Sequence, residues 1–95
     1  MNERALQTKC LNAARNKGWW AAKFASPARR GVPDLVMIKD GRTVFVEVKH
    51  PDGTGRLSKL QILTIKAMRD CGAEVFVIDN YDAFKGEFLG VKTGE

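Results

Sequence analysis

The sequence predicts an α/β domain, a mixed sheet with helices packed on it, in the order αβββαβα. Three observations carry that prediction. Two β-rich runs flank Asp40-Gly41, the strongest short-range hairpin signal. Two segments with helical spacing end at glycines, Gly18 and Gly72. A further β-rich run, Glu74–Ile78, follows the second helix.

Taken in order, Asn2 caps a first helix that runs to about Lys17 and stops at Gly18. Residues 19–24 are apolar and short, a strand. Residues 25–31 hold Ser, Pro, Gly and two Arg, a loop composition. Residues 34–39 and 43–49 are the two arms of the hairpin. Residues 50–56 contain Pro51, Gly53 and Gly55 and read as a flexible loop. Ser58 caps a helix through Cys71, and Asn80 caps a short last one. No repeat, low-complexity stretch or linker divides the chain, so residues 1–95 form one domain.

Composition narrows the class. Sixteen Lys and Arg face eleven Asp and Glu, a net charge of +5. The longest apolar run, Trp19 to Ala22, is far short of the roughly 20 residues that span a bilayer. The opening Met-Asn-Glu-Arg has no apolar stretch behind it, so no secretory signal is expected. Cys10 and Cys71 fall in helical patterns without metal spacing. The expectation is a soluble cytoplasmic domain with reduced thiols and no membrane partner. Arg4, Lys9, Arg15, Lys17, Lys23, Arg29 and Arg30 face the single acid Glu3 across residues 1–30, a local balance of +6. That half suits a polyanion, and nucleic acid is favoured over membrane because no strongly hydrophobic helix face accompanies it. A plain solubility surface is the alternative.

The hairpin permits a register argument. If Asp40-Gly41 is a two-residue loop, Lys39 pairs with Arg42, and Asp34 falls opposite Glu47. Opposed Cβ atoms lie about 4.5–5.5 Å apart on one face. Glu47 and Lys49 are two apart and share that face. Two acids and an amine thus converge at a strand end, among apolar neighbours such as Leu35, Val36, Val46 and Val48. Two such carboxylates repel unless a cation lies between them. A hard, oxygen-seeking ion such as Mg²⁺, with Mn²⁺ as a substitute, suits two carboxylates; zinc would call for Cys and His. Ordinary cross-strand charge pairing, Lys49 with Asp34, is the plainer alternative. On the first helix, Leu6, Cys10, Ala13 and Ala14 form an apolar stripe that takes in Glu3 and Gln7. Glu3 is then either a third acid of the site or an acid favoured by the helix dipole.

These residues resemble a known family. Pro33-Asp34 followed by Glu47-Val48-Lys49 is similar to the PD-(D/E)xK nuclease signature. The fuller pattern adds the early helix with Glu3 and Gln7, then Arg30-Gly31-Val32-Pro33-Asp34-Leu35, Phe45-Val46-Glu47-Val48-Lys49 and Leu57-Ser58-Lys59-Leu60-Gln61. It resembles the VRR-Nuc (virus-type replication-repair nuclease) domain, whose small stand-alone members look like phage or bacterial enzymes.

The resemblance implies a restriction-endonuclease-like core and Mg²⁺-dependent hydrolysis of DNA phosphodiesters. Asp34, Glu47 and the Val48 carbonyl would hold the metal, with Glu3 completing the shell or placing a second ion. Lys49 would orient or deprotonate the attacking water. Gln61, at the edge of its helix's apolar face, is either a hydrogen-bonding support of the site or a solvent-facing residue. Arg29 and Arg30, with Lys23 and Arg4, are candidate phosphate contacts or else solvated charges. For His50 a structural role is favoured over that of a catalytic base. Trp19 and Trp20 face opposite ways and read as core or interface anchors rather than base-stacking platforms.

The implied substrate is DNA recognised by structure, with the four-way (Holliday) junction first and flap or other branched DNA as alternatives. A non-catalytic DNA-binding module of the same fold is the other reading. Junction resolution implies a homodimer. On the 58–71 helix, Leu57, Leu60, Leu63, Thr64, Ala67, Met68 and Cys71 make one stripe, expected to cover the sheet. Ile62 and Ile65 fall off that stripe and are the expected dimer contact, the alternative being packing under Phe84, Phe88 and Leu89.

Overall fold

The structure is a computed structural model and describes residues 1–90. Residues 91–95, the end of the expected domain, lie outside the described residues. The elements follow the expected order: α1 (Glu3–Asn16), β1 (Trp20–Lys23), β2 (Leu35–Lys39), β3 (Arg42–Val48), α2 (Lys59–Asp70), β4 (Glu74–Ile78) and α3 (Tyr81–Phe88). Each differs from its expected bounds by a residue or two at most, except the last helix, for which only the cap is expected from the sequence.

Local chemistry explains the boundaries. Asn2 accepts the Ala5 N–H at 2.8 Å and Asn80 accepts the Ala83 N–H at 2.7 Å, so both asparagines cap as expected. Asp40 (φ 51°) and Gly41 (φ 79°) both lie at positive φ, the pairing that a two-residue hairpin turn requires. Lys39 consequently pairs with Arg42 and Leu35 with Val46, the register expected from the sequence.

The sheet runs β1-β2-β3-β4 in chain order. The first three strands are antiparallel, and β4 pairs parallel to β3 through the α2 crossover. Strand alternation gives the sheet two unlike faces. One carries Leu35, Met37, Val44, Val46, Val48 and Ile78, all buried against α1 and α3. There Leu6, Cys10, Leu11 and Ala14 of α1 meet Phe84 and Phe88 of α3. Trp19 packs edge-on to Phe88 and donates its indole N–H to the Phe88 carbonyl at 3.0 Å. Burial at this depth stabilises by about 1.5–3 kcal/mol for each large apolar side chain. It also drives the Cys10 thiol up to about 12, leaving it an inert apolar filler.

The opposite face is covered by α2 alone, and here the sequence reading needs correction. The stripe expected to cover the sheet does not seal it. Leu60 is 47% exposed and Leu63 56%, whereas Ile65 is the one buried residue of the helix at 3%. Thr64, Ala67 and Met68 instead border an open groove of about 430 Å³ with Phe24, Val32 and Phe45. The cause is the crossover itself: α2 rests on the edge strand β4, so the row that turns inward is the one aimed at β4. That side is centred on buried Ile65, with Gln61, Thr64 and Met68 half-buried around it and exposed Arg69 at its end. Arg69 closes it by donating to the Val75 carbonyl at 2.6 and 3.2 Å. Ile65 is therefore spent within the chain, and only Ile62, 53% exposed, remains of the two expected dimer contacts. Neither isoleucine packs under α3, whose aromatics serve the other face of the sheet.

Candidate active site

The hairpin brings the two acids together. One step beyond the Leu35–Val46 pair, Asp34 comes level with Glu47. The Asp34 backbone carbonyl accepts the Phe24 N–H at 2.7 Å, which ties it to the end of β1. Its carboxylate reaches across the hairpin, Oδ2 accepting the Val48 N–H at 2.8 Å. A free side-chain oxygen thereby does the work of the next rung of the ladder, and the carboxyl group is fixed against β3.

Glu47 is the buried charged residue of the described chain, 2% exposed. Its Oε2 accepts from Gln61 Nε2 at 2.9 Å and lies 3.2 Å from Lys49 Nζ. Its Oε1 is buried with no hydrogen-bond partner. Loss of solvation, then the charge of Asp34, lifts Glu47 from 4.5 to about 7, against the pull of Lys49. Asp34 is raised too, by burial first; the Val48 N–H and Lys49 oppose this, and the charge of Glu3 adds to it.

Lys49 Nζ sits between two oxygens, 3.0 Å from Gln61 Oε1 and 3.2 Å from Glu47 Oε2. Its stem runs against Gly55, where an added Cβ would come within 3.0 Å of the His50 nitrogen and 3.2 Å of Lys49 Cβ. A side chain at this position would have to push its neighbours back by a few tenths of an ångström, so glycine eases the close approach of the 50–57 loop. Gln61 reaches the site because it lies one turn before the buried Ile65. It is thus a hydrogen-bonding partner of the acids and of Lys49, rather than a solvent-facing residue.

The other expected residues are distributed as follows. Glu3 is half-buried in the first turn of α1; its charge is felt at Asp34, but it does not join Asp34 and Glu47 in a three-acid cluster. Among the described residues no three His, Cys, Asp or Glu form a metal-holding group. What the site offers is an all-oxygen set, with the buried, unpartnered Oε1 of Glu47 beside a second carboxylate. That fits a hard divalent cation, because a bare buried carboxylate oxygen is costly until something positive meets it. Arg4, Lys23, Arg29 and Arg30 are all exposed, Arg29 on the rim of the groove beside Phe24 and Val32. His50 accepts the Asp52 N–H at 3.1 Å and serves a turn, as expected. Trp19 is the core member of its pair, and Trp20 is 60% exposed.

Sequence reasoning assigns Gly55 no part in the site, and gives Ser58 only a cap and a place in the family pattern. For Ser58 a signal was present: Ser-x-x-Gln is the pattern of a reciprocal helix cap. Nothing in the sequence pointed to Gly55 beyond its place in a glycine-rich loop.

Known proteins resemble the chain over most of its length. Residues 2–80 match the VRR-NUC domain. A phage protein named "Putative nuclease p44", from Acyrthosiphon pisum secondary endosymbiont phage 1, is 34% identical over 83 residues, covering 86% of this chain and 87% of its own. A solved structure described as a VRR_NUC domain superposes with a TM-score of 0.79 at 26% identity, covering 88% of this chain and 90% of that one.

Proposed function

The chain belongs to the VRR-NUC domain family and carries a nuclease fold, and on that premise we propose that it is a divalent-metal-dependent endonuclease of branched DNA. The observation that carries this reading is the Glu47 carboxylate. It is buried, bonded at one oxygen by Gln61 and Lys49, and bare at the other, beside Asp34. A purely structural carboxylate would have both oxygens satisfied.

Asp34 and Glu47 would hold Mg²⁺, with the Val48 carbonyl as a further ligand and Glu3 acting on the site through its charge, and Mn²⁺ would substitute. The bound ion supplies charge neutralisation at the phosphate and a more acidic water. Lys49, held by two oxygens, would orient the attacking water and offset charge on the phosphoryl oxygens as the bond to the 3′ oxygen breaks. Arg29, Arg30, Lys23 and Arg4 supply phosphate contacts that position the strand without reading its sequence. No helix among the described residues is long and apolar enough to cross a membrane.

The favoured substrate is the four-way junction. Incubating the protein with junction, flapped and linear DNA, with Mg²⁺, Mn²⁺ or a chelator, tests this. Metal-dependent paired nicks in two strands of like polarity are expected on the junction. Preferential flap cleavage would move the substrate to another branched form. Tight binding without any cleavage would favour a non-catalytic module of the same fold.

Two nicks in a two-fold substrate call for two sites, hence a homodimer. On α2, the neighbouring Ile62 and Leu63, 53% and 56% exposed, offer an apolar surface for it. Light scattering should give twice the 10.6 kDa chain mass for the wild type, and the chain mass for Ile62→Glu/Leu63→Glu. A monomeric wild type would refute the dimer; a folded, dimeric double variant would refute this surface.

A further inference from the structure

We propose that Ser58 is a positioning residue of the cleavage site, acting through Gln61 on Lys49 and Glu47. The proposal rests on the reading of Asp34, Glu47 and Lys49 as that site.

The argument begins with the hydrogen-bond capacity of one amide. Gln61 Oε1 accepts the Ser58 N–H at 2.8 Å and the Lys49 ammonium at 3.0 Å. A carbonyl oxygen has two lone pairs, so both are used. The amide nitrogen donates to Glu47 Oε2 at 2.9 Å. Turning the amide over would set its NH₂ against two donors and its oxygen against a carboxylate. Its orientation is therefore fixed by its partners. Ser58 completes the pair in return, its Oγ accepting the Gln61 N–H at 3.1 Å. Ser58 thus holds Gln61 at both ends, side-chain oxygen and backbone nitrogen.

Helix capping alone does not require this arrangement. The caps of α1 and α3, Asn2 and Asn80, each accept from an alanine that has nothing to return. Among the described helices, only α2 has a reciprocal box, and it is the one whose capping glutamine touches the acids. In this box the oxygen that starts the helix is also the oxygen that holds Lys49. Removing the Ser58 hydroxyl releases the Gln61 backbone N–H and loosens the first turn. Gln61 then keeps its side-chain bonds and the residue 58 backbone N–H but not its backbone anchor. It holds Lys49 and Glu47 less tightly in place, while Ile65 and Arg69 still seat the rest of the helix. Misplacement at a reacting centre by a fraction of an ångström is costly to rate.

The test compares Ser58→Ala, Ser58→Thr and Asn80→Ala on the full chain. Ser58→Ala should lower kcat for DNA cleavage roughly tenfold with KM nearly unchanged. Ser58→Thr, which keeps a capping hydroxyl, should restore most of it. Asn80→Ala removes the cap of a helix on the other face and should lower Tm comparably at wild-type kcat. Independently of activity, the side-chain amide signals of Gln61 in a ¹⁵N–¹H spectrum should move in Ser58→Ala and stay in place in the other two. Wild-type kcat and an unmoved Gln61 amide in Ser58→Ala would overturn the proposal, as would an equal rate loss in Asn80→Ala. A wild type that cuts no DNA overturns the nuclease reading instead, and the amide signals still decide the role of Ser58.

Discussion

Asp34→Asn, Glu47→Gln and Lys49→Ala are each expected to abolish cleavage, with losses of about 10³-fold or more, while DNA binding is retained. The three differ in what they remove. Asp34→Asn keeps the size of the side chain and its ability to accept the Val48 N–H, so the hairpin register survives and only a negative charge is lost. Glu47→Gln keeps an acceptor for Gln61 but takes away the bare carboxylate oxygen. Lys49→Ala leaves both acids in place without their cation. Binding should survive in all three, because the exposed arginines and lysines that would meet phosphate lie outside this cluster. Steady-state cleavage rates and a gel-shift titration on the same junction check both halves. Mg²⁺-dependent turnover near the wild-type level in any one variant would remove that residue from the chemistry.

The second large effect is on stability. Without divalent metal, the protein should melt at progressively lower temperature as the pH rises from about 4.5 to 7. Glu47 has its folded-state value raised from 4.5 to about 7, so the folded chain holds a proton there that the unfolded chain has released. The stability this provides is complete below the unfolded value and is lost as pH climbs through the folded one. The direction is what the measurement reads, a Tm that falls steadily across this window. The raised Asp34 acts in the same direction. Asp52 and Glu74, held low by Thr54 and Arg42, act oppositely but are exposed, and their effect belongs to more acidic solutions. Glu47→Gln should melt higher than the wild type at pH 8 and should lack most of the slope. Mg²⁺ should raise the wild-type Tm at pH 8 far more than at pH 5, because a cation removes the same repulsion that the proton does. A Tm that rises with pH across this window, in wild type and Glu47→Gln alike, would contradict the buried-carboxylate account.

Much of the site is legible in the sequence because the hairpin is a local device. Asp40-Gly41 fixes a two-residue turn, the turn fixes the register, and the register alone brings Asp34 level with Glu47. Helix caps are equally local, and Asn2, Ser58 and Asn80 all cap where the sequence says they should. The face of α2 is not legible in the same way. Its helical wheel shows a broad apolar stripe, and a stripe reveals which residues prefer burial but not which element will receive them. The receiving element is β4, an edge strand that comes later in the chain, so the inward side centres on Ile65, with Gln61, Thr64 and Met68 half-buried around it. The role of Gln61 follows from that rotation, and so does the misassignment of Ile65 to a partner surface.

The seating of α2 has an energetic consequence. Beyond Ile65, α2 is seated by half-buried Thr64 and Met68 and by the hydrogen bonds of Gln61 and Arg69. Its apolar contact is smaller than that of the fully buried β2–β3 face, so it is expected to open more readily. Excursions that lift α2 leave the hairpin intact, so the two carboxylates persist as a pair while Gln61 is gone. The expected result is that fewer molecules hold an assembled site than are folded, which faster amide exchange in 59–70 than in the β2–β3 ladder would show.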